Sequence, residues 1–354
     1  MPWIKINGVR VQHHELRDFK PQSEFEKQVQ HYALEWLSGQ DTFIFHTSGS
    51  TGKPKEIVIE RTKILASIEG TSRALGLTPG TTALLAMNPQ FIGGRMMIFR
   101  ALEIGMNLLA LSPGSNPLTT VREPVHFTAL VPLQIDSIMQ HEASTNQLKS
   151  IEHVIIGGGA LHHHWEKELC SFPNAIYQTY GMTETVSHIA LKRISGADTA
   201  DYYTALHGIM LDIDDRSCLI ISGEVTGNKP LVTNDLVELL DTSRFRWLGR
   251  YDNVINTGGI KVQAEQLEKS ITTVLAAAGM NHRLFVHKLP DQQLGEKIVL
   301  IIEGGHQEIE PIKNRLAQYL SRYEVPKQII PTEQMILTAS GKIDRQATLS
   351  QLGY

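Results

Sequence analysis

The chain has 354 residues, of which 42% are hydrophobic and 20% charged, and its formal net charge is -4 at pH 7. That balance is globular, and the length suits roughly two or three domains at ~100–200 residues each. The slight acidity excludes a general electrostatic attraction to nucleic acid or to an anionic membrane.

The opening MPWIKINGVR has no signal-peptide pattern, because charges interrupt it before an apolar run develops. No stretch reaches the roughly 18 unbroken apolar residues of a membrane span. Cys170 and Cys218 form no CxxC and read as inert thiols in a reducing compartment, so a soluble, cytoplasmic protein is expected. From Thr42 to about Leu240, short β-rich runs alternate with amphipathic ones. TFIF (42–45), TALLAM (82–87), NLLAL (107–111), EHVII (152–156) and AIYQTY (175–180) read as buried strands. Helices are predicted over Thr62–Leu75, Gly93–Ile104, Pro132–Gln140 and His162–Leu169. This alternation predicts a layered α/β domain with a largely parallel sheet. CLIIS (218–222) and LVELL (236–240) add strands of antiparallel type.

The pattern changes near WLGRYDNVINTGG. Beyond it come a helix from about Gln263, strands at Leu284–His287 and Lys297–Ile302, a helix at Ile312–Leu320 and a strand at Gln328–Ile330. The expected organisation is a large layered α/β domain, residues 1–249, and a small mobile α+β domain, residues 250–354.

HTSGSTGKPK (46–55) is the densest chemical signal. A Walker A loop requires Gly-x-x-x-x-Gly-Lys-Ser/Thr, but Thr47 stands in the first glycine position and Pro54 follows Lys53. A two-residue hairpin would need a single Asn-Gly-like pair. Two readings remain on composition: a polyphosphate cradle of backbone N–H groups, hydroxyls and lysine, or a plain surface loop.

The string TSGSTGKPK closely resembles the phosphate-binding signature of the adenylate-forming superfamily, which includes acyl-CoA synthetases, peptide-synthetase adenylation domains and luciferases. GGGA (157–160), YGMTET (180–185), TNDLVEL (233–239), GRYDNVINTGGIKVQAEQLE (249–268) and LTASGKIDR (337–345) resemble its further motifs in the same order. Within the superfamily, YGMTETVSHIALKRI is most similar to the 2-succinylbenzoate–CoA ligases, in a short form. Only 46 residues precede Thr47, where relatives carry a longer region, so an α/β subdomain is expected to be missing or reduced. Gln90 and Phe91 stand where the family often has an aromatic–His pair.

The resemblance implies ATP-dependent activation of a small-molecule carboxylic acid and transfer of its acyl group to CoA, with Mg²⁺ as cofactor. Alternatives are another aryl or acyl acid, a carrier-protein thiol as acceptor, or a non-catalytic adenylate-binding remnant. Intact Lys342 and Glu184 argue against the last. Thr47, Ser48, Gly49, Ser50, Thr51, Gly52 and Lys53 would hold the β- and γ-phosphates. Gly158, Gly159 and Ala160 would line the adenine side, with Tyr180 and Gly181 beside the ring. Glu184 would hold the metal, Thr183 the α-phosphate and Asp235 both ribose hydroxyls, with Arg250 adding charge. Lys342 would bridge carboxylate and α-phosphate in the first step, and Asp252 would be the hinge of a domain swing. Without the motif context Glu184 and Asp235 would read as solvated charges.

Three further features stand on residue chemistry alone. Arg95, a charge on an apolar helix beside a glycine pair, is either a clamp for a second substrate carboxylate or a structural ion pair. Ser187 and His188 follow Glu184 closely enough to line the acid pocket. His162, His163 and His164 do not form a metal site, since neighbours on a helix point about 100° apart. No membrane or nucleic-acid partner is expected, and a homodimer is left open.

Overall fold

A computed structural model of the chain describes residues 2–46, 56–159, 161, 163–304, 308–338 and 343–354. Two compact units emerge. One comprises Met1–Leu211 with Ile221–Leu231 and Asp241–Arg244; the other comprises Asp212–Ile220, Val232–Leu240 and Phe245–Tyr354.

The first unit begins with strands β1 (Trp3–Ile6) and β2 (Val9–Gln12), helix α1 (Glu24–Leu37), strands β3 (Thr42–His46) and β4 (Glu56–Glu60) and helix α2 (Arg61–Leu75). It continues through β5 (Thr82–Leu85), α3 (Ile92–Ile104), β6 (Asn107–Ala110), β7 (Phe127–Leu130), α4 (Pro132–Met139) and α5 (Glu142–Ser150). Then follow β8 (His153–Ile156), α6 (His163–Leu169), β9 (Ala175–Gly181), β10 (His188–Arg193) and β11 (Tyr203–Ala205). The sheet runs β11-β10-β9-β8-β7-β5-β6-β1-β2. Strands β9, β8, β7, β5, β6 and β1 are parallel, and antiparallel strands flank them on both sides. The parallel strands carry near-continuous apolar runs, as strands covered on both faces must: Leu84, Leu108, Val154 and Ile176 are all fully buried.

One strand departs from expectation. Thr42–His46 is not part of the parallel layer; it pairs antiparallel with β4 in a separate two-stranded ribbon, Ile44 opposite Val58. Its residues alternate: Phe43 and Phe45 are buried, while Ile44 and Val58 are 49% and 62% exposed. The period of two marks a half-covered ribbon, which a short apolar run disguises as a buried strand. The inner face meets an aromatic cluster, with Phe99 of α3 stacked on Trp36 of α1 at 4.6 Å and tilted against Phe43 at 5.1 Å. Each such buried ring contributes roughly 1.5–3 kcal/mol. Within α3, Met96, Met97 and Ile98 are fully buried and belong to the core.

Next in the chain are β12 (Met210–Ile213), β13 (Cys218–Ser222), β14 (Leu231–Leu239) and β15 (Arg244–Arg250). The second unit contains the antiparallel pairing of β14 with β15 and a small sheet of β16 (Val254–Thr257), β17 (Ile260–Gln263), β18 (Leu284–Asp291), β19 (Gly295–Glu303) and β20 (Gln328–Thr332). Its helices are α7 (Ala264–Ala276), α8 (Ile309–Tyr319) and α9 (Arg345–Gln351). Alternation along β18 and β19 builds two cores. Val286, Ile298 and Leu300 pack with Leu267, Ile271 and Leu316 of α7 and α8, while Phe285, Val299 and Ile301 pack with Leu349 of α9. No helix among the described residues is long and apolar enough to cross a membrane.

Candidate active site

The glycine turns are placed by sterics. Gly157 ends β8, where a Cβ would lie 2.4 Å from Thr179 Oγ1, and Gly158 has φ +85°, a conformation natural to glycine. Gly159 is half-buried in the same turn. Gly181 ends β9 under a tight return of the chain: a Cβ there would stand 2.2 Å from the Ser187 carbonyl oxygen and 2.5 Å from His188 Cα. The motif residues 181 and 187–188 are thus brought into backbone contact. Tyr180 is half-buried, its ring 5.8 Å from that of Tyr203.

Between them Thr183–Thr185 makes a single helical turn. Thr183 is half-exposed and Glu184 is exposed. The buried Thr185 hydroxyl accepts the Met182 N–H at 3.0 Å and lies 2.8 Å from the Ser187 carbonyl. Val186 has φ 66° and ψ -48°. A β-branched residue with positive φ is strained, and such strain collects at functional sites.

Beyond that kink runs a buried polar chain. Arg100 Nη2 donates to Ser187 Oγ at 3.1 Å; Ser187 Oγ lies 3.3 Å from His188 Nδ1; His188 Nε2 lies 3.1 Å from Thr71 Oγ1. Arg100 is 1% exposed, and burial lowers its pKa to about 10. His188 is held neutral, its pKa driven well below the ordinary value by burial and then by the Arg100 charge. Arg100 Nε is buried and has no partner among the described residues. Sequence reasoning missed Arg100. The available signal was a second arginine interrupting the apolar stripe of α3.

Arg95 is placed differently. It is 3% exposed; its Nη1 donates to the Ile44 carbonyl at 2.6 Å, and its guanidinium lies 3.8 Å from the centre of the Tyr32 ring and 4.5 Å from that of Phe45. These contacts tie α3 to β3 and α1.

In the second unit, Asp235 lies opposite Arg250 across β14 and β15. Asp235 is 8% exposed, and its Oδ1 accepts the Trp247 indole N–H at 3.1 Å. A register shift between Leu236 and Val237 leaves Leu248 as an extra residue on β15, a bulge of the kind that re-aims side chains. Arg250 forms a two-pronged pair with Asp252, both bonds at 3.0 Å, which holds the Asp252 carboxyl below its usual pKa. The pair is about half exposed and contributes at most about 1 kcal/mol. Further along, Leu337 bridges to Ile343, and Arg345 donates to Glu268 of α7 at 2.9 Å. Glu268 also accepts the Val286 N–H at 2.8 Å; burial raises its pKa while Arg345 opposes that shift.

Thr47, Ser48, Gly49, Ser50, Thr51, Gly52, Lys53, Ala160 and Lys342 lie outside the described residues. Among the described residues no group of three His, Cys, Asp or Glu side chains is arranged to hold a metal.

A large α/β domain followed by a small C-terminal domain is the architecture of adenylate-forming enzymes. The AMP-binding enzyme family matches residues 6–217. An acyl-CoA synthetase (AMP-forming)/AMP-acid ligase II-like protein from Dyadobacter fermentans is 37% identical, with a TM-score of 0.66 over 97% of this chain and 99% of that one. The 2-succinylbenzoate–CoA ligase of Salmonella typhimurium is 25% identical over 92% of this chain and 72% of that protein. The O-succinylbenzoate coenzyme A synthetase of Bacillus subtilis, solved with ATP and magnesium ion, superimposes with a TM-score of 0.69 at 19% identity, covering 86% of this chain and 69% of that one. The chain belongs to the AMP-binding enzyme family, and its class is the AMP-forming acid–CoA ligases.

Proposed function

We propose that this ligase adenylates an acid bearing a second carboxylate, 2-succinylbenzoate, and passes the acyl group to CoA, a step of menaquinone biosynthesis. The observation that carries the reading is Arg100: a buried guanidinium fixed at Nη2 by Ser187, with Nε unpartnered among the described residues. A buried cation is costly to leave without a counter-charge, and its planar fork suits a carboxylate. Relatives named 2-succinylbenzoate–CoA ligase support the same acid.

In this reading the acid's reacting carboxylate attacks the α-phosphate of ATP, pyrophosphate leaves, and the CoA thiol then displaces AMP. Charge must be neutralised as the anions meet. Residues Thr47 to Lys53 would hold the β- and γ-phosphates, Gly158 to Ala160 with Tyr180 and Gly181 the adenine, Thr183 the α-phosphate, and Asp235 with Arg250 the ribose side. Lys342 would bridge the reacting oxygens. Glu184, an exposed carboxylate of the hard donor type that magnesium prefers, would hold that ion, which supplies positive charge at the phosphates. Residues 250–354 would move as a lid about Asp252.

The test is pyrophosphate release and acyl-CoA formation over a panel of acids, with and without CoA. The expected result is a preference for 2-succinylbenzoate over acids lacking the second carboxylate, lost in Arg100→Gln. A best substrate without a second carboxylate, or acyl transfer only to a carrier-protein thiol, would overturn it.

A further inference from the structure

We propose that His188 is a positioning residue, locked as the Nε2–H tautomer between Thr71 and Ser187, and that this lock sets the preference for acids with an anionic far end. The inference rests on the reading of Arg100 given above and adds the group that orients it.

The proton positions follow from one end of the chain. Thr71 is fully buried on α2, and its hydroxyl donates to the Ser67 carbonyl one turn earlier, at 2.9 Å. A hydroxyl has one proton, so Thr71 Oγ1 offers only lone pairs to His188 Nε2, 3.1 Å away. Nε2 therefore carries the imidazole proton. The ring is neutral, since burial and the nearby Arg100 charge both oppose a second proton. Nδ1 is then an acceptor, and it takes the Ser187 hydroxyl proton at 3.3 Å. That leaves Ser187 Oγ with lone pairs facing Arg100 Nη2 at 3.1 Å. Each of these four hydrogen bonds then has one donor and one acceptor.

The opposite tautomer fails at a definite place. With the proton on Nδ1, the bare Nε2 would face the lone pairs of Thr71 Oγ1, whose own proton is given to Ser67, and the Ser187 hydroxyl proton would lose its acceptor in the chain. Ser187 Oγ would then accept from the ring and the guanidinium at once, with its own proton no longer held by Nδ1 in the orientation that directs Arg100 Nη2. The backbone holds Ser187 to the same purpose, because the strained Val186 delivers it and the Thr185 hydroxyl lies 2.8 Å from its carbonyl. Thr71 touches none of the reacting atoms in this scheme. It acts through His188, and His188 acts through Ser187 on the arginine.

The experiment uses the full chain labelled with ¹⁵N-histidine. Long-range ¹H–¹⁵N spectra report which ring nitrogen is protonated, and His188→Gln assigns the signal by its disappearance. The expected wild-type pattern is a protonated Nε2 and a bare Nδ1, kept in Thr71→Ser and lost in Thr71→Val. In parallel, Thr71→Val should raise the KM for 2-succinylbenzoate about tenfold, the worth of one hydrogen bond to a charged network. The KM for ATP and for a monocarboxylic analogue should not move, and Thr71→Ser should restore the wild-type value. A wild-type His188 protonated at Nδ1, or an unchanged KM in Thr71→Val, overturns the proposal. If the enzyme shows no preference for the dicarboxylic acid, the reading of the substrate falls, while the spectrum still decides the tautomer.

Discussion

Trp247 donates its indole N–H to Asp235 across two antiparallel strands, 3.1 Å from nitrogen to oxygen, and the Leu248 bulge lies beside it. In the role proposed for Asp235, receiving two ribose hydroxyls, the carboxylate must be fixed in rotation. A hydrogen bond to an ionised group, worth about 1.5–3 kcal/mol, can fix it. Trp247→Phe keeps the ring and removes the donor. We expect the KM for ATP to rise about tenfold, with less discrimination against 2′- and 3′-deoxy-ATP than the wild type shows. Asp235→Asn is the control. If it loses ribose discrimination and Trp247→Phe does not, the indole only packs.

Gly181→Ala places a methyl group against backbone, 2.2 Å from the Ser187 oxygen. No side chain can rotate away to relieve that contact, so β9 and β10 must part. A destabilisation of about 1–3 kcal/mol is expected from overpacking, with loss of adenylation at temperatures where the variant is still folded. Thermal unfolding followed beside pyrophosphate release separates the two effects; a variant of wild-type stability and activity would contradict the tight return described here.

His188 gives a pH dependence with a definite sign. Its pKa in the folded protein lies well below the ordinary 6.5, so on acidification the unfolded chain binds its proton first. Stability from this group is complete above pH ~6.5 and is lost as pH falls below that value. The charged group facing it is Arg100, which deepens the effect. Denaturant titrations at pH 7.5 and about 5.5 should show a smaller loss for His188→Gln than for the wild type; equal losses would mean that other groups carry the acid limb.

If Lys342 bridges the reacting oxygens as proposed, its charge is needed only while ATP and carboxylate meet, so Lys342→Ala should abolish adenylation while largely sparing thioester formation from a pre-made acyl-adenylate. The half-reactions are followed separately, as pyrophosphate and as acyl-CoA. Equal loss in both would remove the lysine from the first step.

The layered core was legible because parallel strands are covered on both faces: runs such as TALLAM and EHVII are apolar throughout and bounded by turns. Periodicity identified α2 and α3 to within a residue of their starts. It passed over β1, β2 and α1, where polar residues such as Lys5, Arg10 and Gln30 break the apolar pattern at half-covered elements. TFIF was misplaced because four residues carry too little alternation to separate a ribbon from a buried strand. For the proposed site, the motif strings pointed to Gly181, Ser187 and His188, whereas Arg100 hides inside a hydrophobic helix. Its importance depends on which way α3 turns it, and only packing settles that.

The two buried arginines of α3 give that helix a role beyond filling the core. Five residues of α-helix advance about 7.5 Å and rotate about 140°, so Arg95 and Arg100 leave it in widely different directions. One holds the carbonyl of Ile44, three residues before Thr47; the other holds Ser187. The strand that leads into residues 47–55 and the seat proposed for the acid are therefore fastened to a single rod. A rod held at both ends cannot slide to suit one substrate without displacing what holds the other, so the affinities for nucleotide and acid are expected to be thermodynamically linked, each raising or lowering the other by the same factor.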